Sequence, residues 1–196
     1  MIATRMSEVR RTTGETIVSV ELTLDGSGTA NIATGIGFLD HLLTAFARHS
    51  RCDLDITGES DLHVDDHHTV EDVALALGQA LDQALGDRRG ITRFGHAIVP
   101  LDEALSRVAI DLSGRSFADI QLGLTREALG ALSTENITHL FRSFATAARL
   151  TLHVDVLKGD NDHHRAESAI KATAIALRQA VSSSGFDDVP STKGVL

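Results

Sequence analysis

The run His67-His68-Thr69-Val70-Glu71 sets two imidazoles and a carboxylate within one helical turn. Its spelling returns as His163-His164-Arg165-Ala166-Glu167, 96 residues on (163 minus 67). On a helix, residues four apart share a face, so His67 and Glu71 can reach one ion while His68, turned by about 100°, points at another. The same holds for His163, Glu167 and His164. His41 and His139, which match under a second shift of 98, bring the set to six imidazoles and two carboxylates, four donors for each of two ions.

Such nitrogen-rich, thiolate-free donors suit a six-coordinate first-row ion such as manganese or iron better than a structural zinc, and leave positions open for substrate. Histidines in a first helical turn feel its positive end, which favours the neutral imidazole a metal needs. Two dications against two glutamates leave the bare site at roughly +2, attractive to an anion. His49, His63, His96 and His153 have no repeated partner of this kind and read as surface or hydrogen-bonded residues. Asp65, just before the first motif, reads either as a partner orienting a ligand or as a capping acid.

The chain as a whole has 196 residues and a formal net charge of −9, which disfavours nucleic acid and anionic membranes as partners. Its single cysteine, Cys52, excludes an intramolecular disulfide framework and reads as a buried, inert thiol in a reducing compartment. Residues 1–16 form a leader with Arg5, Arg10 and Arg11 but no continuous apolar region, and no apolar run is long enough to span a bilayer. The expected location is the cytoplasm.

The elements that must position the motifs follow from periodicity. Val18, Val20, Leu22 and Leu24 alternate with polar residues as in a half-buried strand, and Asp25-Gly26-Ser27-Gly28 then reads as a hairpin turn into a short strand over 29–34. Apolar residues at 38, 39, 42, 43 and 46 give a helix to about Ser50, and Leu54 and Ile56 another strand. Val70, Val73, Ala74, Leu77, Leu81, Ala84 and Leu85 mark one face of a helix that Asp66 caps and Gly86 closes. In the second half, Val108 to Leu112 form a strand, Ile137 to Ala148 a helix, and Leu152 and Val154 a strand. A last helix is capped by Asp162 and ends near Gly185.

Residues 67–85 superpose on 163–181 with eight identities in nineteen positions, and His41-Leu42, Phe46-Ala47 and Arg51 match His139-Leu140, Phe144-Ala145 and Arg149. The fold expected is α+β: internally duplicated βα half-domains, with mainly antiparallel sheets and helices packed together on one face of each. No Pro/Ser-rich linker separates the halves, so 1–196 reads as a single domain of two pseudo-twofold halves, about 1–92 and 93–196.

Taken together, the motifs resemble one family, imidazoleglycerol-phosphate dehydratase of histidine biosynthesis. The resemblance runs through Arg11-Thr12-Thr13-Gly14-Glu15-Thr16, Gly35-Ile36-Gly37-Phe38-Leu39-Asp40-His41 and Asp65-Asp66-His67-His68-Thr69-Val70-Glu71-Asp72. It continues in Asp111-Leu112-Ser113-Gly114-Arg115, Asn161-Asp162-His163-His164 and Pro190-Ser191-Thr192-Lys193-Gly194. It implies a lyase that dehydrates D-erythro-imidazole glycerol phosphate to imidazole acetol phosphate, with two Mn2+ per active site stabilising a substrate imidazolate. It also implies a homo-oligomer of 24 subunits built from trimers, with active sites at subunit contacts.

Carried over residue by residue, the metal ligands are His41, His67, His68, Glu71, His139, His163, His164 and Glu167. The phosphate-binding groups are Arg93, Arg115, Lys171, Ser191 and Lys193, and the acid-base glutamate is Glu15. Lys171 aligns with Leu75, so only the second half places a cation there, as expected if one half handles phosphate. In the implied reaction the anionic ring expels hydroxide from the adjacent carbon, and Glu15 removes the neighbouring proton to give an enol that becomes the ketone. The donor set alone also admits a binuclear hydrolase, and a metal-storage or metal-organised shell. Against storage, bundle motifs usually spell Glu-x-x-His, the reverse of the order here.

Overall fold

The computed structural model describes residues 5–196. Two four-stranded sheets and four long helices share one continuous apolar core. The first half runs β1 (Met6–Thr12), β2 (Thr16–Thr23), β3 (Ala30–Ala33), α1 (Gly37–Ser50), β4 (Asp53–Ser60) and α2 (His67–Leu85). The second begins with β5 (Phe94–Leu101), β6 (Ala104–Asp111) and β7 (Phe117–Gln121). A minute hairpin, β8 (Ala128–Leu129) and β9 (Leu132–Ser133), then precedes α3 (Thr134–Ala147), β10 (Thr151–Lys158) and α4 (Asp162–Val181).

Strand order is β1-β2-β4-β3 in one sheet and β5-β6-β10-β7 in the other. Each sheet is antiparallel except at one edge, where β3 pairs parallel with β4 and β7 with β10. The alternation in the sequence is the cause: Val18, Val20, Leu22, Leu54 and Ile56 turn inward from the first sheet, and Val108, Ile110, Leu152 and Val154 from the second. The fold is the duplicated βα arrangement expected.

Helix packing crosses between the halves. The second helix lies on its own sheet yet packs lengthwise on α3, while α4 lies on the second sheet and packs on α1. Gly78 makes the α2–α3 approach possible, because a Cβ there would stand 2.6 Å from the Phe144 carbonyl oxygen. Phe46 and Phe144 meet edge to face at the centre, 5.9 Å between centroids. No helix of the described residues is long and apolar enough to cross a membrane.

Four local expectations change. Residues 6–12 are a strand and not a leader: β1 pairs along its whole length with β2, and buried Asp72 fixes the far end by accepting from Arg11 and Thr16. Asp25 to Gly28 is not a hairpin turn, since β4 lies between β2 and β3; the Asp53 carboxylate holds the crossing loop by accepting from the amides of Ser27, Gly28 and Thr29. The last helix stops at Val181, four residues before Gly185, where Ser182 takes up an extended backbone.

Asp66 stands at the N-cap position of α2 but its side chain makes no capping bond, and Asp162 lies inside α4, one residue past the N-cap Asn161. The side chains that accept from the first helical amides are Asp65, from His67 at 2.9 Å, and Asn161, from His163 at 2.9 Å. Asp66 accepts instead from the Ser133 amide and hydroxyl, and Asp162 from the amides of Thr125 and Arg126. Both carboxylates are thereby held below their ordinary range: burial works against them, and the donated hydrogen bonds outweigh it. Together they strap the segment 125–133 to the starts of α2 and α4.

Candidate metal centre

The crossed helix pairing sets the geometry of the histidines. Because α2 lies on α3, His67 and Glu71 face His139, and because α1 lies on α4, His41 faces His163 and Glu167. Each trio offers ligand atoms that all lie within 4.8 Å of one another. Each draws on both halves of the chain.

In the first trio, Glu71 Oε1 stands 3.2 Å from His139 Nε2, and the His67 and His139 rings stack at 4.8 Å. His67 Nδ1 donates to Asn136 Oδ1 at 3.1 Å, which leaves Nε2 as the ligand atom. In the second, Glu167 Oε2 lies 3.1 Å from His163 Nε2 and 3.3 Å from His41 Nε2. The ring of Phe38 walls that trio, 4.9 Å from the His163 centroid. Burial works against ionisation of Glu167, but the Lys171 ammonium, 2.7 Å from Oε1, and His41 hold its pKa down at about 2.

Imidazole nitrogens gathered near a carboxylate oxygen, with no thiolate among them, fit a divalent first-row ion, and in the first trio the buried Ser143 hydroxyl lies 3.4 Å from His139 Nε2. The Glu71 and Glu167 carboxylates stand within hydrogen-bond distance of the His139 and His163 rings.

His68 and His164 belong to neither trio. Their rings turn away from His67 and His163, nearly perpendicular to them, and each is held by a carboxylate. His68 Nδ1 lies 3.0 Å from Asp61 Oδ2 and His164 Nδ1 lies 2.8 Å from Glu103 Oε2. Those bonds raise the pKa of both histidines, the opposite direction to the neutral ring expected at a helix start. Glu103, bonded to His164 and to the Asn161 amide, is held at about 2.

The remaining site residues fall in two places. Glu15, at the β1–β2 turn, is exposed, with Oε2 3.7 Å from His68 Nε2. The Arg93 guanidinium donates to Asp111 and to the Pro190 carbonyl, and the loop at Gly114 touches Leu196, so Arg93, Arg115 and the tail carrying Ser191 and Lys193 gather together. Among the described residues no hydrogen bond or ion pair joins that group to Lys171, which sits beside Glu167.

Sequence reasoning missed Asp61, Glu103 and Asn136. The first two lack a repeated motif around them; Glu103 is visible only when the β1–β2 and β5–β6 hairpins are superposed. Cys52 is buried, which pushes its thiol up to about 11 and fits an inert role.

A family model described as imidazoleglycerol-phosphate dehydratase matches residues 34–177. Proteins of that name include one from Candida glabrata, 54% identical over 209 residues, covering 97% of this chain and 100% of that protein. Another, from Zymomonas mobilis, is 56% identical over 194 residues, covering 98% and 99%. A longer one from Phytophthora nicotianae is 59% identical over 98% of this chain, which spans only 42% of that protein. Among solved structures, the dehydratase of that name from Staphylococcus aureus superposes with a TM-score of 0.83 at 35% identity, covering 91% of this chain and 99% of that one. The Pyrococcus furiosus structure gives 0.83 at 38% identity, covering 96% and 100%.

Proposed function

The chain belongs to the imidazoleglycerol-phosphate dehydratase family, and from that membership we propose that this hydro-lyase converts D-erythro-imidazole glycerol phosphate to imidazole acetol phosphate with two manganese ions. The observation that carries the metal assignment is the pair of matched trios, His67-Glu71-His139 and His41-His163-Glu167. His68 and His164, presented outward from the same helices, supply the remaining donors across contacts between copies of the chain. We read the assembly as a cytoplasmic homo-oligomer of 24 subunits built from trimers, each chain a single domain of two halves meeting near residue 92.

When bound, the two ions supply Lewis acidity that stabilises negative charge on the substrate ring. The protein's own groups do the rest. Lys171, Arg93, Arg115, Ser191 and Lys193 hold the phosphate, cations and a hydroxyl set against a dianion. That anchoring fixes which carbon faces Glu15. Hydroxide leaves the carbon next to the ring, and the Glu15 carboxylate takes the proton from the neighbouring carbon, leaving an enol that rearranges to the ketone. The exposure of Glu15 and its place 3.7 Å from His68 Nε2 support that role.

Incubation of manganese-loaded protein with imidazole glycerol phosphate tests the reading. Formation of the ketone with phosphate retained is expected. Release of inorganic phosphate would replace this reading with a binuclear hydrolase, and metal binding without conversion would replace it with a metal-organised shell.

A further inference from the structure

The two hairpins superpose residue for residue. The pair Thr12–Ile17 in the first corresponds to Pro100–Leu105 in the second, a shift of 88 (100 minus 12, 105 minus 17), which sets Glu15 on Glu103. The strands β4 and β10 correspond under a shift of 98, so Asp61 falls on Gly159 (61 plus 98). Each half therefore offers two positions from which a carboxylate could reach the second histidine of its motif.

The halves fill them differently. Against His164 the hairpin carboxylate, Glu103, is in place, and the other position is Gly159, whose φ of 142° and whose crowding by Arg165 and Ala104 leave no room for a side chain. Against His68 the post-strand carboxylate, Asp61, is in place, and the hairpin glutamate, Glu15, accepts no hydrogen bond through its carboxylate among the described residues.

We propose that Glu103 and Asp61 are positioning residues that act in the same way. Each fixes the Nδ1–H tautomer of its histidine so that Nε2 is offered to an ion, and Asp61 thereby leaves Glu15 free to carry a proton. This rests on the metal assignment above. A carboxylate only accepts, so the ring nitrogen facing it carries the hydrogen and the other ring nitrogen is the ligand.

Glu103 provides the decisive test, because its two oxygens have different partners. Oε1 accepts from the amides of Asn161 at 2.9 Å and Asp160 at 3.3 Å, while Oε2 accepts from His164. In Glu103→Gln the amide oxygen stays with the two backbone donors, so the amide nitrogen faces His164 and donates to Nδ1. Hydrogen then moves to Nε2 and the ligand position is blocked. In Glu103→Ala no hydrogen-bond partner remains at Nδ1, the Asp102 carboxylate stands 3.9 Å from Nε2 without a hydrogen bond to it, and a metal can still select Nε2. The closer substitution is thus expected to do more harm.

The experiment takes the full-length protein with 15N-labelled histidine, metal-free and at a pH above the range in which both imidazoles titrate, and reads the tautomers of His68 and His164 by magnetic resonance. Manganese affinity of the same samples is measured by titration. The wild type is expected to show Nδ1–H at both histidines. Glu103→Gln is expected to show Nε2–H at His164 and to bind manganese about 10- to 100-fold more weakly, with Glu103→Ala between the two. Glu103→Gln binding as the wild type does, or better than Glu103→Ala, would overturn the proposal. Wild-type protein that binds no manganese would instead remove the metal assignment beneath it, whatever the tautomers show.

Discussion

The imidazole of His67 on α2 lies stacked on that of His139 on α3, their centroids 4.8 Å apart and their planes 19° from parallel. The two residues come from opposite halves of the chain, and only the lengthwise packing of α2 on α3 brings them together. His41 on α1 meets His163 on α4 through the other crossed pair. Neither half alone builds a metal trio.

The two trios should fail separately. His139→Ala removes one of three donors from one trio and leaves His41, His163 and Glu167 untouched, so the variant should lose one ion's worth of manganese per chain and nearly all turnover. His41→Ala should lose the other ion. Metal analysis after dialysis, beside an activity assay, checks this; loss of both ions from either variant would mean the trios are not independent.

Glu15→Gln removes a base and changes little else, since the side chain is exposed at a turn that Thr13 holds through the amides of Glu15 and Thr16. Turnover should fall by about 10²- to 10⁴-fold while KM stays within a few fold. Near-normal kcat would take the acid-base role away from Glu15.

The repeat made the helices, the inner faces of the central strands and the six residues of the two trios legible in the sequence, because apolar periodicity and a doubled motif are local signals. What escaped was set by long-range competition. The loop over 25–28 reads as a hairpin until Asp53 and β4 are placed between its flanking strands, and Asp66 reads as a cap until Ser133 arrives to take its carboxylate. The short, polar β1 hides because its pairing with β2, and not its own pattern, makes it a strand. Asp61 and Glu103 were invisible for the same reason: each meets its histidine only once the sheets are folded.

Lys193 and Arg93 should separate binding from architecture. Lys193 is exposed in the tail, so Lys193→Ala should raise KM for the phosphorylated substrate with little change in kcat or melting temperature. Arg93 also holds the tail through the Pro190 carbonyl at 2.7 Å and pairs with Asp111. Arg93→Ala should therefore raise KM and expose the 190–196 segment to proteolysis as well. Equal protease resistance in the two variants would sever Arg93 from the tail.

Asp53 gives a pH dependence of stability with a defined sign. Its carboxylate accepts from the amide of Thr29, then from Ser27 and Gly28, and these bonds hold its pKa below the ordinary value. A group whose folded pKa is depressed contributes stability above its unfolded pKa and loses it as pH falls through the folded one. Asp53→Asn should melt below the wild type at neutral pH, with the gap closing below about pH 4. Thermal melts across that range decide it; a gap that widens on acidification would contradict the assigned sign.

Gly78 ties stability to the metal site. It lies midway along α2, where a Cβ would sit 2.6 Å from the Phe144 carbonyl oxygen, 2.8 Å from Ala147 Cβ and 2.9 Å from the Ala148 nitrogen. Those atoms belong to the end of α3 and cannot yield without moving the helix, so Gly78→Ala must push α2 and α3 apart. The gain in intrinsic helix propensity, about 1 kcal/mol for Gly to Ala, works the other way. Overpacking of this kind costs about 1–3 kcal/mol, so a net loss is expected and should appear as a lower melting temperature. The same separation draws His67 and Glu71 away from His139, while the α1–α4 pair keeps its spacing. Manganese titration should then show one weakened site and one near normal, and a variant that melts lower but binds both ions as the wild type does would show that the trio tolerates the shift.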